Sequence, residues 1–251
     1  MAIAKATIPG LTNGTEYGVR LFVEGKFGYQ TALEGATAAA TPRAGQPASV
    51  FPVGTELLFP FDISERLFLI VHTYTDRVIV CQKYVYGSST VTMEGLWGNS
   101  PVRASYNGAE YFNKLSTKVR NNILLSDVPT YSYSAKKNVI SRDRVFFAST
   151  TEMGLGQIYG GDVEGTPFKY FATAAERIAK DADNQTAKSY RTRSLTSNSD
   201  NSTWCLVDSS GKNIITMTNN NELIARPFFA ISPEMLFSLE PNPDGSYSPI
   251  L

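Results

Sequence analysis

The apolar runs of this chain are short, and their length restricts the folds that are open to it. The longest run, Leu67 to Val71, has the length of a strand rather than of a helix. In the segment YGVRLFVE, which starts at residue 17, apolar residues recur at every second position, as in a strand with one buried face. Turn signals such as Asn13-Gly14 separate these segments. We therefore expect a chain rich in antiparallel strands.

The charge balance and the lack of long apolar runs exclude several classes of partner. Lys and Arg number 23, Asp and Glu number 23, so no basic excess neutralises phosphates and nucleic acid is not an expected partner. No apolar run approaches the roughly 18 residues that span a bilayer, so no membrane insertion is expected. The opening MAIAKATIPGLTNG lacks the apolar core of a secretory signal, which predicts synthesis in the cytoplasm without a signal peptide.

Cysteine and histidine usage does not support metal or cofactor chemistry. Cys81 and Cys205 are far apart in sequence. A sheet could bring them together as a disulfide, but two buried free thiols are the favoured interpretation. The single histidine, His72, lies inside a predicted strand and is interpreted as a packed aromatic rather than a catalytic base. Because no metal-ligand spacing is present, we expect no metal and no cofactor.

Catalytic motifs are equally scarce. The stretch GLGQIYGGDVEG at 154–165 is rich in Gly but lacks the Lys-Ser/Thr pair of a phosphate loop. Asp162 and Glu164 could form a carboxylate pair for glycoside cleavage, although a spacing of two in a loop is common. The segment DADNQ at 181–185 lacks the Gly and the distal Glu of a calcium loop. We predict no catalytic residues and a protein that is not an enzyme.

Two segments have the periodicity of amphipathic helices. In residues 107–124, Asn107 is positioned to cap a helix with Glu110 three residues on, and apolar side chains follow at helical spacing from Tyr111. Residues 167–181 carry a similar stripe that begins at Phe168. Two helices among antiparallel strands predict an α+β fold class.

Residues 1–43 carry the motif Gly-Leu-x-x-Gly-x-x-Tyr, which starts at Gly10, ahead of an alternating strand. This segment resembles the second half of a fibronectin type III domain, and the resemblance makes Tyr17 the tyrosine-corner residue and a structural anchor. A half-sandwich leaves an apolar face and open strand edges, so another chain, another copy or the following domain is expected to cover it. A small β-meander packed on its own neighbour is the alternative. Residues 44–49 have the composition of a linker.

Residues 50–233 carry an ordered series of motifs: WGNSPVRASY, DRVFFASTTEMG, FKYFATAAERIAK, RTRS, TWCLVDSSGK and IARPFFAISP. The series resembles a domain of uncharacterised function from gut bacteria, their phages and phage-like elements. Its last part also looks like the C-type-lectin-like fold of formylglycine-generating-type proteins and phage tropism determinants. The resemblance implies a C-type-lectin-like domain over 50–240, followed by a C-terminal tail over 241–251. Thr192 stands where the family has an aromatic residue, and Ile224-Ala225 where it has Gly-Val.

Several residues of these motifs are predicted to be structural anchors. An Arg in an apolar strand is costly to bury unless its guanidinium is paired. Arg193 and Arg226 are therefore expected to bond carbonyls or carboxylates such as Glu152. Trp204, in an alternating strand, is predicted to be a core aromatic. The remaining predicted anchors match the family motifs beside the two arginines: Ser194 and Pro227.

The polar residues between these anchors are predicted to form loops held on a scaffold. The first loop, 195–203, is bounded by Arg193 and Trp204, and the second contains the run Asn219 to Asn221. Loops of this kind form binding faces on rigid folds. Simple solvated turns are the alternative. The predicted ligand-binding residues are Ser197, Asn198, Asn201, Asn219, Asn220 and Asn221.

Together these features predict a non-enzymatic, surface-exposed component of a phage virion, of tail-fibre, baseplate or head-decoration type. A lectin-like domain would adhere to a host-surface glycan or protein, and other virion subunits or copies of the chain would be assembly partners. Several weak sites on one particle multiply into avidity. The first alternative is a purely structural assembly or cement protein. The second is an enzyme that acts on polysaccharides.

Overall fold

The computed structural model describes residues 17–24, 30–40, 45–88, 95–157, 161–183, 185–214 and 223–250. The chain divides into two compact units, Met1–Gly45 and Gln46–Leu251. In the first unit, β1 (Tyr17–Glu24) pairs antiparallel with β2 (Gln30–Ala40). The register shifts once, between Arg20 and Phe22. Tyr17 begins β1, but the tyrosine-corner contact predicted for its side chain lies outside the described part of the structure.

The second unit is built mainly from short strands. In chain order these are β3 (Gln46–Pro47), β4 (Glu56–Phe61), β5 (Ser64–Thr73), β6 (Val78–Gln82), β7 (Tyr86–Ser88), β8 (Ile123–Leu124), β9 (Ser126–Ser132), β10 (Lys137–Asp143), β11 (Phe146–Phe147), β12 (Ala179–Lys180), β13 (Ala187–Lys188), β14 (Tyr190–Leu195), β15 (Trp204–Val207), β16 (Asn213–Ile214), β17 (Leu223–Ala225), β18 (Pro227–Ile231) and β19 (Leu236–Phe237). The α-helices among the described residues are α1 (Pro101–Tyr106), α2 (Thr117–Arg120) and α3 (Ala174–Arg177).

The larger sheet has the strand order β11-β18-β6-β5-β4, with β8 also paired to β18, and all of its pairings are antiparallel. Every residue of β6 and β18 is buried, so these central strands are covered on both faces. Aromatic rings fill the space beside them; for example, Phe68 lies 5.2 Å from Phe59 and 5.1 Å from Phe229 between ring centroids. Burial of each such side chain contributes roughly 1.5–3 kcal/mol relative to an exposed position.

The second sheet has the strand order β16-β15-β14-β17-β7. Its central strand β14 is buried at every position although its sequence is YRTRSL. It pairs antiparallel with β15 and parallel with β17, where Arg191 lies opposite Ala225. A strand that buries two arginines needs partners for both guanidinium groups, and these partners organise the site described below.

The predicted α+β class and its C-type-lectin-like assignment are wrong, because the fold is mostly β with several sheets and three short α-helices in the described part. The helix predicted over 107–124 is divided into a 3-10 turn (Phe112–Lys114) and the four-residue α2. Asn107 ends α1 instead of starting a helix, and its Oδ1 accepts the backbone N–H groups of Arg144 and Val145 at 2.8 and 2.9 Å. The caps explain the division: the side chain of Ser100 starts α1, whereas that of Ser116 starts α2.

The helix predicted over 167–181 is also shorter than its apolar pattern indicates. The pattern contains a 3-10 turn (Lys169–Phe171) and then α3. Thr173 forms a capping box with Glu176, which fixes a new helix start in the middle of the predicted helix. Tyr111, Leu115, Val119 and Ile123 of the first pattern and Phe168 and Phe171 of the second are buried. Ala175 is exposed and Ile178 is half-buried, so periodicity identified part of the core face but not the backbone conformation.

The C-terminal residues 241–250, assigned to a tail above, return to the second unit. The backbone N–H of Tyr247 donates to Glu56 at 2.9 Å, and the backbone N–H of Leu58 donates to Tyr247 at 2.9 Å. The Tyr247 ring also lies 4.6 Å from the ring of Phe51. Among the described residues, no helix is long and apolar enough to cross a membrane.

Candidate functional site

Arg193 is the central anchor of the site. It lies in β14, its exposed fraction is 0%, and it makes the expected pair with Glu152 through two hydrogen bonds of 2.6 and 2.9 Å. The same guanidinium donates to the carbonyl of Phe147 at 2.6 Å and to that of Pro129 at 3.0 Å. One side chain therefore ties β14 to β9, to β11 and to the segment that follows β11. A two-bond pair of this kind is among the strongest polar contacts in proteins.

Glu164 brings a second carboxylate to this anchor. It accepts the backbone N–H of Tyr131 at 2.7 Å and the Ser194 hydroxyl. Burial raises the pKa of Glu164, and the nearby charge of Arg193 and the Ser194 hydroxyl offset only part of that rise. Asp162, considered above as its catalytic partner, is exposed, whereas Glu164 is buried. The contacts of Glu164 are those of a residue that holds β9 and β14 together.

Gly165 completes the anchor because only glycine suits its position. Its φ is +92°, and a Cβ atom there would lie 2.5 Å from Oε1 of Glu152. A larger residue would therefore be strained and would also displace the carboxylate that pairs with Arg193.

Trp204 occupies the other end of the loop that follows β14. It is fully buried, as predicted for a core aromatic, and its ring centroid lies 5.5 Å from that of Trp97. Its indole Nε1 donates to the carbonyl of Gly95 at 2.8 Å, so its polar atom is satisfied. The loop is therefore fixed at both of its ends.

Asp200 fixes the middle of the same loop. It accepts the Ser132 hydroxyl at 2.8 Å, the Tyr133 backbone N–H at 2.6 Å and the Ser134 hydroxyl at 2.5 Å. These donors lie at the turn between β9 and β10. Within the loop, the Thr196 N–H donates to the carbonyl of Thr203 at 2.8 Å. We call the loop 197–203 together with the turn 132–135 the polar platform.

The pKa of Asp200 is lowered by these contacts. Burial acts to raise this pKa. The hydrogen bonds from the Ser134 and Ser132 hydroxyls and from the backbone amides of Tyr133 and Ser134 outweigh the effect of burial. The carboxylate is thus charged at neutral pH and accepts all of these bonds at once.

The predicted ligand-binding residues of the first loop lie on this platform. Asn198 and Asn201 are exposed, and Ser197 is half-buried. Two aromatic side chains lie at the end of β9, where the rings of Tyr131 and Tyr133 are 5.0 Å apart, edge to face. Asn219, Asn220 and Asn221 lie outside the described residues.

Sequence reasoning missed Asp200, although a signal was present. Asp200 is the one carboxylate in the polar stretch 195–203, and a lone Asp among Ser and Asn residues is a common acceptor for backbone amides.

Sequence reasoning also missed two further buried arginines. Arg191 donates to the carbonyl of Trp204 at 2.7 Å, and Arg177 donates to that of Gly211 at 2.8 Å. Arg191 is two residues from Arg193 on a strand, which places both side chains on one face.

Arg226 is buried like Arg193 but has different partners. It lies between β17 and β18, and its Nε donates to the carbonyl of Gln82 at 2.9 Å. Its guanidinium carbon lies 5.3 Å from the ring centre of Phe171 and 5.9 Å from that of Tyr190. The structure thus confirms a carbonyl partner for Arg226, whereas no carboxylate is paired with it among the described residues. Pro227 begins β18, opposite Phe147.

His72 and the cysteines have no catalytic surroundings in the described part of the chain. The ring of His72 lies 4.3 Å from that of Tyr74, and its Nδ1 accepts the backbone N–H of Lys169 at 3.2 Å. Burial and the charge of Lys169 lower the pKa of His72, which fits a packed neutral ring. Cys81 and Cys205 are both buried and free, as favoured above. No group of three or more His, Cys, Asp or Glu side chains among the described residues is placed to hold a metal.

Comparison with known proteins gives one family and no characterised relative. No curated protein and no solved structure matches the chain. Residues 75–233 match the family model described as a domain of unknown function (DUF6273). The matched segment contains Glu152, Arg193, Asp200 and Arg226, and it spans more than half of the chain. The protein therefore belongs to the family of the domain of unknown function DUF6273.

Proposed function

We propose that this protein is a non-enzymatic adhesion module whose polar platform binds a glycan or protein on a cell surface. The observation that carries the proposal is the contrast within one loop. Asn198 and Asn201 are exposed, while Asp200 between them is bonded to the turn at Ser132 and Ser134. The loop thus offers hydrogen-bonding side chains on a backbone that is already ordered, which reduces the entropy lost on binding.

The residues around the platform support the same proposal. The Tyr131–Tyr133 pair adds aromatic surface next to short polar side chains, and this combination is common at adaptable binding faces. The buried pair of Arg193 and Glu152 fixes β14, the strand that leads into the loop, so the polar platform is attached to a rigid strand.

The proposal places the module on the surface of a phage particle, where many copies would turn weak sites into strong attachment. This part rests on the resemblance of the motif series to domains of gut bacteria and their phages. It is tested by electron microscopy of the native assembly with an antibody against the polar platform. Label on the particle surface is expected, and its absence from particles that contain the chain would contradict this placement.

The adhesion proposal is tested with the purified full chain, tetramerised on streptavidin and applied to intact bacterial cells and to an array of bacterial surface polysaccharides. The double variant Asn198→Ala/Asn201→Ala is expected to bind at least tenfold more weakly than the natural chain. Asn121→Ala is the matched control, because Asn121 is an exposed asparagine on another element, directly after α2. Equal binding by both variants would contradict the proposal. Release of soluble sugar from any polysaccharide would contradict its non-enzymatic part.

A structural role in virion assembly is the second candidate, and the first unit favours it. Within the described residues, β1 and β2 form a two-stranded sheet in which each strand has one neighbour. A two-stranded sheet is marginal alone, and its outer edges can pair with another chain. Sedimentation of the full chain tests this role: a defined oligomer that Val19→Pro dissociates supports it, and a monomer at all concentrations opposes it.

A further inference from the structure

A cavity of about 410 Å³ lies beside Arg226, away from the residues of the polar platform. Its size is within the range of small-molecule sites. We call it the Arg226 cavity. Its charged and aromatic lining residues are Glu56, Lys83, Tyr84, Tyr170, Lys180 and Arg226.

Arg226 carries a buried positive charge without a counter-ion among the described residues. Its exposed fraction is 2%, and its Nη1 has no hydrogen-bond partner in the described part of the chain. The Gln82 carbonyl, the Tyr190 hydroxyl and the rings of Phe171 and Tyr190 are neutral and supply partial charges only. A buried cation with no anion is costly, which is why buried arginines are normally paired as Arg193 is.

The acidic groups near Arg226 do not supply the missing charge. The carboxylate of Glu56 is already bonded to Nζ of Lys83 at 2.5 Å. Burial raises the pKa of Cys81 to about 11 and that of Tyr190 to about 12, so both stay neutral at pH 7. The positive charge at the inner wall of the cavity is therefore left for a bound anion.

The remaining lining residues indicate what kind of anion fits. Tyr84 and Tyr170 are half-buried and offer ring surface, and the Lys83–Glu56 pair offers both donors and acceptors for hydroxyl groups. Lys180, exposed at the cavity, adds a second positive charge. A planar guanidinium suits the two oxygens of a carboxylate or a phosphate.

We propose that the Arg226 cavity binds an anionic sugar, with the acidic group of the sugar against the guanidinium of Arg226. The acidic group is a carboxylate, as in a uronic acid, or a phosphate ester. This site is separate from the polar platform, and it does not depend on the adhesion proposal.

Titration calorimetry of the full chain with D-glucuronate, D-galacturonate, glucose 6-phosphate and glucose tests the proposal. At least one of the three anionic sugars is expected to bind saturably, tenfold or more tightly than glucose, and more weakly at high salt. The uronates and the phosphate ester distinguish the two sources of the acidic group. Absence of saturable binding by all three, or equal binding of glucose, would overturn the proposal.

Two variants locate the site without disturbing Arg226. Ala175 lines the cavity from the exposed side of α3, so Ala175→Tyr is expected to fill it and weaken binding at least tenfold. Ala172→Tyr is the matched control, because Ala172 is exposed and does not line the cavity. The platform variant Asn198→Ala/Asn201→Ala is expected to bind the anionic sugar normally. Unchanged binding by Ala175→Tyr, or loss of binding in the platform variant, would overturn the proposed location.

Discussion

Arg193 and Arg226 are both buried, yet their surroundings differ. Arg193 pairs with Glu152 through two hydrogen bonds and also donates to three backbone carbonyls. Arg226 has one carbonyl, the Tyr190 hydroxyl and two aromatic rings, and no carboxylate among the described residues. Arg193 is therefore neutralised within the chain, whereas Arg226 retains a positive charge beside a cavity. We propose that Arg193 stabilises the fold and that Arg226 binds a ligand.

The largest effect is expected when Arg193 is replaced by methionine, and the same replacement at Arg226 is the comparison. Arg193→Met leaves Glu152 buried without its cation, so a loss of about 3–5 kcal/mol in the free energy of unfolding is expected. Arg226→Met orphans no carboxylate among the described residues and removes an unpaired charge, so a change within about 1 kcal/mol is expected. Urea denaturation measures both. Equal losses would show that the two arginines have the same role.

A smaller effect is expected at the glycine that faces the Arg193 anchor. In Gly165→Ala the new Cβ atom would press on Oε1 of Glu152 at a backbone φ of +92°, so a loss of roughly 2–3 kcal/mol is expected. Gly156→Ala is the matched control, because its φ is +73° and nothing lies within 4 Å of the added atom. The control is expected to lose about 1 kcal/mol from backbone strain alone. Equal losses in thermal denaturation would mean that Glu152 moves freely.

The contact between Asp200 and the β9–β10 turn predicts a pH dependence. Because the pKa of Asp200 is lowered in the folded chain, the stabilisation is fully present above the ordinary Asp value of 3.8. It is lost as the pH falls through the lowered pKa. Hydrogen exchange at the Tyr133 amide, which donates to Asp200, is expected to accelerate at acid pH. Asp200→Asn is expected to remove this pH step, and an unchanged step in that variant would assign it to another group.

The smallest effect is expected at an exposed ion pair. Asp76 lies 2.7 Å from Arg77, but its side chain is 63% exposed, so Asp76→Asn is expected to change the free energy of unfolding by less than about 1 kcal/mol. A loss as large as that of Arg193→Met would indicate that surface charge, rather than burial, sets the effect of the Arg193 pair. The same urea denaturation measures it.

The sequence was a better guide to the local contacts of the site than to the fold of the chain. A buried Arg needs a partner, which was sufficient to expect the contact between Arg193 and Glu152. Helical periodicity failed at residues 107–124, because Asn107 ends α1 and Ser116 caps the start of the short α2, and an apolar stripe does not report where caps act. Whether a carboxylate lies at Arg226 depends on which residues a sheet brings together across more than a hundred positions, and none of the described residues supplies one. Local patterns in the sequence do not contain that information.

The adhesion proposal requires that short polar side chains project from the loop 197–203 while the backbone of that loop is ordered. Backbone ¹⁵N relaxation of the loop 197–203 tests this claim most directly and requires no knowledge of the ligand. Order parameters near those of β14 and β15, about 0.85, are expected in the natural chain, and lower values are expected in Asp200→Asn. Order parameters below about 0.6 across the loop of the natural chain would contradict the claim.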